Sequence, residues 1–126
     1  MPEAVSRVIL LVDDDPFVRE STATLLAVLR YAVIDVANGG DAVALARDGR
    51  AFDAALVDWH MPGGLDGVAT VRALRAVRPG LPFILVTGDH TASVPLDGEL
   101  AGGRALAKPF RLGELRDALA ALFIAG

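Results

Sequence analysis

Val8-Ile9-Leu10-Leu11-Val12-Asp13-Asp14-Asp15-Pro16 decides the fold. An unbroken apolar run ends in three acids and a proline. A run of that length, bounded by turn residues, reads as a strand buried on both faces of a parallel sheet. The acids repel one another, and a carboxylate drawn out of water costs free energy unless a cation meets it. Asp15-Pro16 has a local meaning of its own: an N-cap followed by proline at the first helical position. Val18, Thr22, Leu25 and Leu29 then recur at helical spacing. The stretch therefore reads strand, acidic turn, helix.

The same unit repeats outward. Apolar strands are predicted over 8–12, 32–36, 54–57, 83–87 and, weakest, 105–107. A short second helix covers 40–48 and stops at Gly49. Val68, Val71, Leu74 and Val77 mark a third helix, stopped by Pro79-Gly80. Leu115, Leu119 and Leu122 mark the last, with the leucine stripe facing the core. The fourth connection, 88–103, is poor helix, because Pro95, Gly98, Gly102 and Gly103 interrupt it; it predicts only a short helix beginning near Pro95. Alternating strands and helices imply an α/β fold with a parallel sheet and right-handed crossovers. Five units fit a flavodoxin-like, doubly wound (βα)5 arrangement with strand order 2-1-3-4-5, in which strands 1 and 3 are neighbours and the crevice lies at their C-terminal ends.

Composition sets the bounds. The chain has 126 residues, 53% of them apolar, which suits one domain over residues 1–126 with a full core. No apolar run approaches the roughly 18 residues needed to cross a bilayer. No basic leader with a signal-type apolar stretch opens the sequence, and cysteine is absent, so a cytoplasmic protein without disulfides or cysteine-bound metal is expected. The net charge of −4 argues against a nucleic-acid footprint. Eleven of the basic residues are Arg, and Lys108 is the single Lys.

The predicted strand ends gather particular residue types. Strand 1 ends in Asp13, Asp14 and Asp15, strand 3 in Asp58, strand 4 in Thr87-Gly88, and strand 5 in Lys108-Pro109. Carboxylates converging from two adjacent strands need a cation, and an oxygen-only ligand set favours Mg2+. Lys108 supplies a compact point charge, and Thr87 a hydroxyl that can bond an anion. A divalent metal, a lysine and a hydroxyl around one carboxylate make a phosphoryl-transfer site.

With these pieces in place, the chain resembles the receiver domains of bacterial two-component response regulators. The matching segments are VDDDP at 12–16, LVDWHMPG at 56–63, DG at 66–67, LVTG at 85–88 and KPF at 108–110. The resemblance implies that Asp58 is the phosphoacceptor, taking a phosphoryl group from a phosphohistidine on a sensor histidine kinase or histidine phosphotransfer protein. It implies that Asp13 and Asp14 hold Mg2+ together with Asp58 and the main-chain carbonyl of His60. It implies that Thr87 and Lys108 contact the phosphoryl oxygens, with a cis Lys108-Pro109 bond aiming the amine inward. The output would be a protein partner, not nucleic acid or membrane, and the chain a stand-alone regulator or the receiver of a hybrid kinase.

Three departures stand out. The family usually carries an aromatic three residues before the lysine, and here that residue is Ala105. The loop from Asp58 to Asp66-Gly67 is one residue longer than the commonest form, through Gly63-Gly64. The fourth helix is weak, which points to a monomer or weak dimer. His60 and Asp89 occupy positions that often tune phosphoryl lifetime. Asp15 is read as N-cap, Asp66 as the cap of the third helix, and the side chains of His60 and His90 as exposed loop residues. Asp35, Asp41, Asp48 and Asp53 are read as solvated. Trp59 shields the acceptor or packs at a partner surface. Two other functions compete. One is a haloacid-dehalogenase-like phosphatase with Asp13 as nucleophile and Asp15 as general acid. The other is an interaction module that keeps the fold and does not use phosphate.

Overall fold

A computed structural model describes residues 6–88 and 96–124. Five parallel strands form one sheet in the order β2-β1-β3-β4-β5. They are β1 (Val8–Val12), β2 (Ala32–Val36), β3 (Ala54–Asp58), β4 (Phe83–Thr87) and β5 (Arg104–Ala107). Four helices join and follow them: α1 (Pro16–Val28), α2 (Gly39–Arg47), α3 (Gly67–Val77) and α4 (Leu112–Ile124). The expected α/β doubly wound order is thus the observed one. Among the described residues no helix is long and apolar enough to cross a membrane.

Side chains alternate across each strand, so each strand feeds two cores. Leu10, Val12, Ala55, Val57, Phe83 and Leu85 pack with Val43 of α2 and Val71 and Leu74 of α3. Ile9, Leu11, Leu56, Ile84 and Val86 pack on the other face with Leu26 of α1 and Leu115, Leu119 and Leu122 of α4. The leucine stripe of the last helix is therefore core, as read. The division follows from topology. The chain first moves outward from β1 to β2, then reverses, so right-handed crossovers place α2 and α3 on the face opposite α1, and α4, which follows the last strand, folds back onto the α1 face. The three central strands are closed on both sides. β2 and β5 are edges, and their exposed residues include Asp35, Arg104 and Ala105.

The helix starts obey the local chemistry. The Asp15 carboxylate accepts from the N–H groups of Phe17 and Val18, at 2.9 and 3.3 Å, ahead of Pro16. Asp66 caps α3 through Ala69 N–H at 2.8 Å. Asn38 caps α2 through Asp41 N–H at 2.7 Å, and α2 ends at a left-handed Gly49. Three of the acids read as solvated have structural partners: Asp35 pairs with Arg19, Asp41 accepts from the Asn38 side-chain amide at 3.1 Å, and Asp53 accepts from Val8 N–H at 2.7 Å.

The fourth connection is held differently from the rest. Its described part contains one 3-10 turn, Gly98–Leu100, with Leu100 buried in the α2/α3 core. The expected helix start near Pro95 lies outside the described residues, and so do Asp89 and His90. Arg75 of α3 takes over the bracing. Its guanidinium donates to the carbonyls of Leu81, Glu99 and Ala101 at 2.9, 3.1 and 2.6 Å and lies 4.7 Å from the centre of the Phe83 ring. Gly103 is packed so close to that ring that any Cβ would overlap it.

Candidate functional site: an acidic cleft at the strand ends

The site is built where β1, β3, β4 and β5 end. Backbone bonds continue the ladder one residue past the strands. Asp13 N–H donates to Val36 carbonyl at 3.2 Å, Trp59 N–H to Val86 carbonyl at 2.8 Å, and Lys108 N–H to Thr87 carbonyl at 2.7 Å. Strand order alone therefore brings Asp13, Asp58, Thr87 and Lys108 side by side.

Asp13 and Asp58 are buried, at 4% and 8% exposure, and Thr87 matches them at 8%. Asp14 is exposed. One oxygen from each of the three aspartates lies within 4.8 Å of the others. Lys108 Nζ sits between the two buried carboxylates, 3.6 Å from Asp13 Oδ2 and 3.5 Å from Asp58 Oδ2. The Lys108-Pro109 bond is cis. The remaining oxygens are oriented locally: Asp13 Oδ1 accepts from Asp15 N–H at 2.9 Å, and Asp58 Oδ1 from His60 N–H at 3.4 Å, a long contact. Gly67, the first residue of α3, presses on the end of β3; a Cβ there would stand 2.5 Å from the Asp58 carbonyl oxygen. The start of α3 thus abuts the Asp58 backbone.

Burial pushes the Asp58 carboxyl above its ordinary range, and the neighbouring Asp13 charge pushes it further; Lys108 and the His60 amide pull the other way without offsetting them. Three carboxylates against one ammonium leave two negative charges unmatched. The donors are all oxygens and two are buried, a set that fits a hard divalent cation such as Mg2+.

The site residues expected from sequence, apart from Asp89, lie among the described residues. Asp13, Asp14, Asp58 and Lys108 come together, and Thr87 stands at the end of the strand between the last two. His60 turns its side chain to solvent, as expected of an exposed loop residue, and gives its amide to Asp58. Trp59 is half-buried beside Asp58. Asp15 spends its carboxylate on the helix cap, which speaks against a phosphatase general acid. Ala105 is exposed on the edge strand. One residue escaped sequence reading: Arg19, which donates to the Asp13 carbonyl at 2.8 Å and to Asp35 at 3.2 Å. Its signal was a lone cation one helical turn after the densest acidic stretch of the chain.

Known proteins resemble this chain in sequence and fold. Residues 9–120 match the family model of the response regulator receiver domain. The chain is 38% identical over 115 residues to the response regulator MprA of a Mycobacterium species, covering 90% of this chain and 49% of that protein. It thus spans about half the length of the curated relatives it matches. A response regulator receiver protein from Sinorhizobium medicae superposes with a TM-score of 0.83 at 25% identity, covering 96% of this chain and 97% of that one. The receiver domain of the sensor histidine kinase PA1611 from Pseudomonas aeruginosa, solved with a magnesium ion coordinated in its active site cleft, gives 0.78 at 34% identity, covering 94% and 99%. With the fold, the strand order and the acidic cleft in agreement, this chain belongs to the receiver domain family of two-component response regulators.

Proposed function

We propose that this chain is a single phosphoacceptor domain, residues 1–126, and that Asp58 takes a phosphoryl group from a phosphohistidine. One observation carries the reading: Lys108 Nζ bridges the buried carboxylates of Asp13 and Asp58 at 3.6 and 3.5 Å. That places a fixed cation where a transferring phosphoryl group gathers negative charge. An Asp58 oxygen forms the new bond to phosphorus as the phosphorus–nitrogen bond breaks, and the electron pair stays on the imidazole, which picks up a proton from solvent. Lys108 and the Thr87 hydroxyl hold phosphoryl oxygens. Asp13, Asp14, Asp58 and the His60 main-chain carbonyl hold Mg2+, which when bound supplies the positive charge that the three carboxylates lack. Hydrolysis returns Asp58 to its free form, so the chain catalyses only its own phosphorylation and dephosphorylation.

The donor is a sensor histidine kinase or a histidine phosphotransfer protein in the cytoplasm. A groove of about 330 Å³ beside Lys108, lined by Phe17, Val18, Leu25, Pro109 and Phe110, supports an apolar contact for it; Phe17 is 81% exposed. The domain acts as a stand-alone regulator or as the receiver of a hybrid kinase, signalling through a protein. The exposed Ala105 favours a second reading, a receiver fold that signals without phosphate.

Incubation with Mg2+ and acetyl phosphate, or with a competent kinase, followed by intact-mass measurement decides between them. One added phosphoryl group, lost in Asp58→Asn and in the absence of Mg2+, supports the first reading. No added mass from either donor leaves the second.

A further inference from the structure

We propose that Arg19 is a positioning residue for the metal-binding turn, an inference that rests on the acidic cleft being a Mg2+ site. Arg19 sits in the first full turn of α1, where its own N–H bonds the Asp15 carbonyl at 2.8 Å. From there the side chain reaches back over the acidic turn. One guanidinium nitrogen donates to the Asp13 carbonyl at 2.8 Å, and Nε meets Asp35 Oδ2 on the edge strand β2 at 3.2 Å. The Arg19 side chain is only 20% exposed, whereas Asp35 is 53% exposed.

The Asp13 carbonyl belongs to the peptide plane that leads into Asp14. The two metal-facing acids are therefore held in different ways. Asp13 has its carboxylate fixed directly, through Asp15 N–H. Asp14 is exposed and has no such bond among the described residues; its direction depends on the tilt of the plane before it, and Arg19 is what bonds that plane. Asp35 holds the other arm of the fork, so the guanidinium is braced against the sheet edge while it grips the loop. A planar, two-armed donor suits the task, and an ammonium point charge cannot hold both partners in that geometry. Groups that orient ligands from behind commonly change metal affinity by about 10–100-fold when removed.

A bare charge would act in the opposite direction. Arg19 is a cation near a cation site, so deleting it without any loss of positioning tightens Mg2+ binding. The sign of the effect is thus diagnostic. The test is Mg2+ titration of the fluorescence of Trp59, the only tryptophan and the neighbour of Asp58, in the full chain, alongside thermal unfolding without metal. Arg19→Gln is expected to raise the Mg2+ dissociation constant about 10-fold or more. Arg19→Lys is expected to fail to restore it, and Asp35→Asn to raise it less. All three should unfold near the wild-type temperature in the absence of metal, since partly exposed ion pairs add little to stability. Tighter or unchanged binding in a folded Arg19→Gln protein overturns the proposal, as does a fall in unfolding temperature with no change in affinity. A wild-type protein that shows no Mg2+ response by fluorescence or by thermal shift overturns the metal-site reading and this inference with it, an outcome distinct from a wild type that titrates and an Arg19→Gln protein that titrates alike.

Discussion

The β1/β3 end of the sheet and the β4–β5 edge are built to different standards. β1 and β3 lie in the middle of the sheet, closed by helices on both faces, and the buried carboxylates at their ends, Asp13 and Asp58, each accept from a backbone N–H and face Lys108. β5 is an edge of four residues with Arg104 and Ala105 exposed, and the described chain leading to it is braced by Arg75, with Arg72 paired to Glu99 at 3.2 Å. The buried carboxylates sit on the rigid part, and the edge contributes Lys108 from just past the end of β5. Two of the three departures from the usual receiver pattern, Ala105 in place of an aromatic and the weak fourth connection, fall on the thin part. The proposed phosphoryl transfer depends on positions fixed to a fraction of an ångström, so its residues need a packed frame. An exposed edge can change with little loss of stability.

That contrast can be broken by stability measurements. The largest effect is expected from Leu56→Ala in β3, two residues before Asp58 and buried in the α1/α4 core. It should lower unfolding free energy by about 2–5 kcal/mol in urea titrations. A loss as small as that of a surface change would dissolve the distinction. Asp15→Ala comes next, at about 1 kcal/mol, because it removes the N-cap of α1. Its rate of phosphorylation by acetyl phosphate should stay within a few-fold of wild type, which separates the third acid from the first two.

A shift of opposite sign is expected for Asp58→Asn in chelator at neutral pH. The Asp58 carboxyl is held above its ordinary range by burial and by Asp13. A group raised on folding stabilises the native state below its unfolded value and loses that contribution as pH rises through the folded one. At neutral pH the ionised Asp58 therefore opposes folding, and its amide should melt higher than wild type. The gap should close in acid, and added Mg2+ should raise the melting temperature of wild type more than that of the variant. The smallest effect is reserved for Ala105→Ser on the exposed edge, within about 0.5 kcal/mol of wild type. A larger cost would show that the edge is as tightly built as the centre.

Much of this was legible in the linear chain. The strands at 8–12, 32–36 and 83–87 match residue for residue, because short apolar runs between turn residues have few other readings. β3 runs one residue further than expected, to Asp58, and β5 starts one earlier, at Arg104. Polar residues at strand ends carry no hydrophobic signal, so the pattern stops short of them. The caps at Asp15 and Asp66 were readable since a cap needs only its own next three residues. The reach of Arg19 and Arg75 was not. A long side chain with five donors can meet carbonyls on several elements, and nothing in its neighbours along the chain says which.

By itself the sequence determined the alternation of strands and helices, the starts of the helices capped by Asp15 and Asp66 and the inventory of reactive side chains. Those depend on periodicity and on contacts a few residues apart. Tertiary structure decided the rest. It buried Asp13 while leaving Asp14 exposed, set Lys108 between Asp13 and Asp58, and raised the Asp58 carboxyl above its ordinary range. The reason is that burial and charge proximity belong to the ends of strands that are distant in the chain. Their energies exist only once the order β2-β1-β3-β4-β5 has placed those ends side by side.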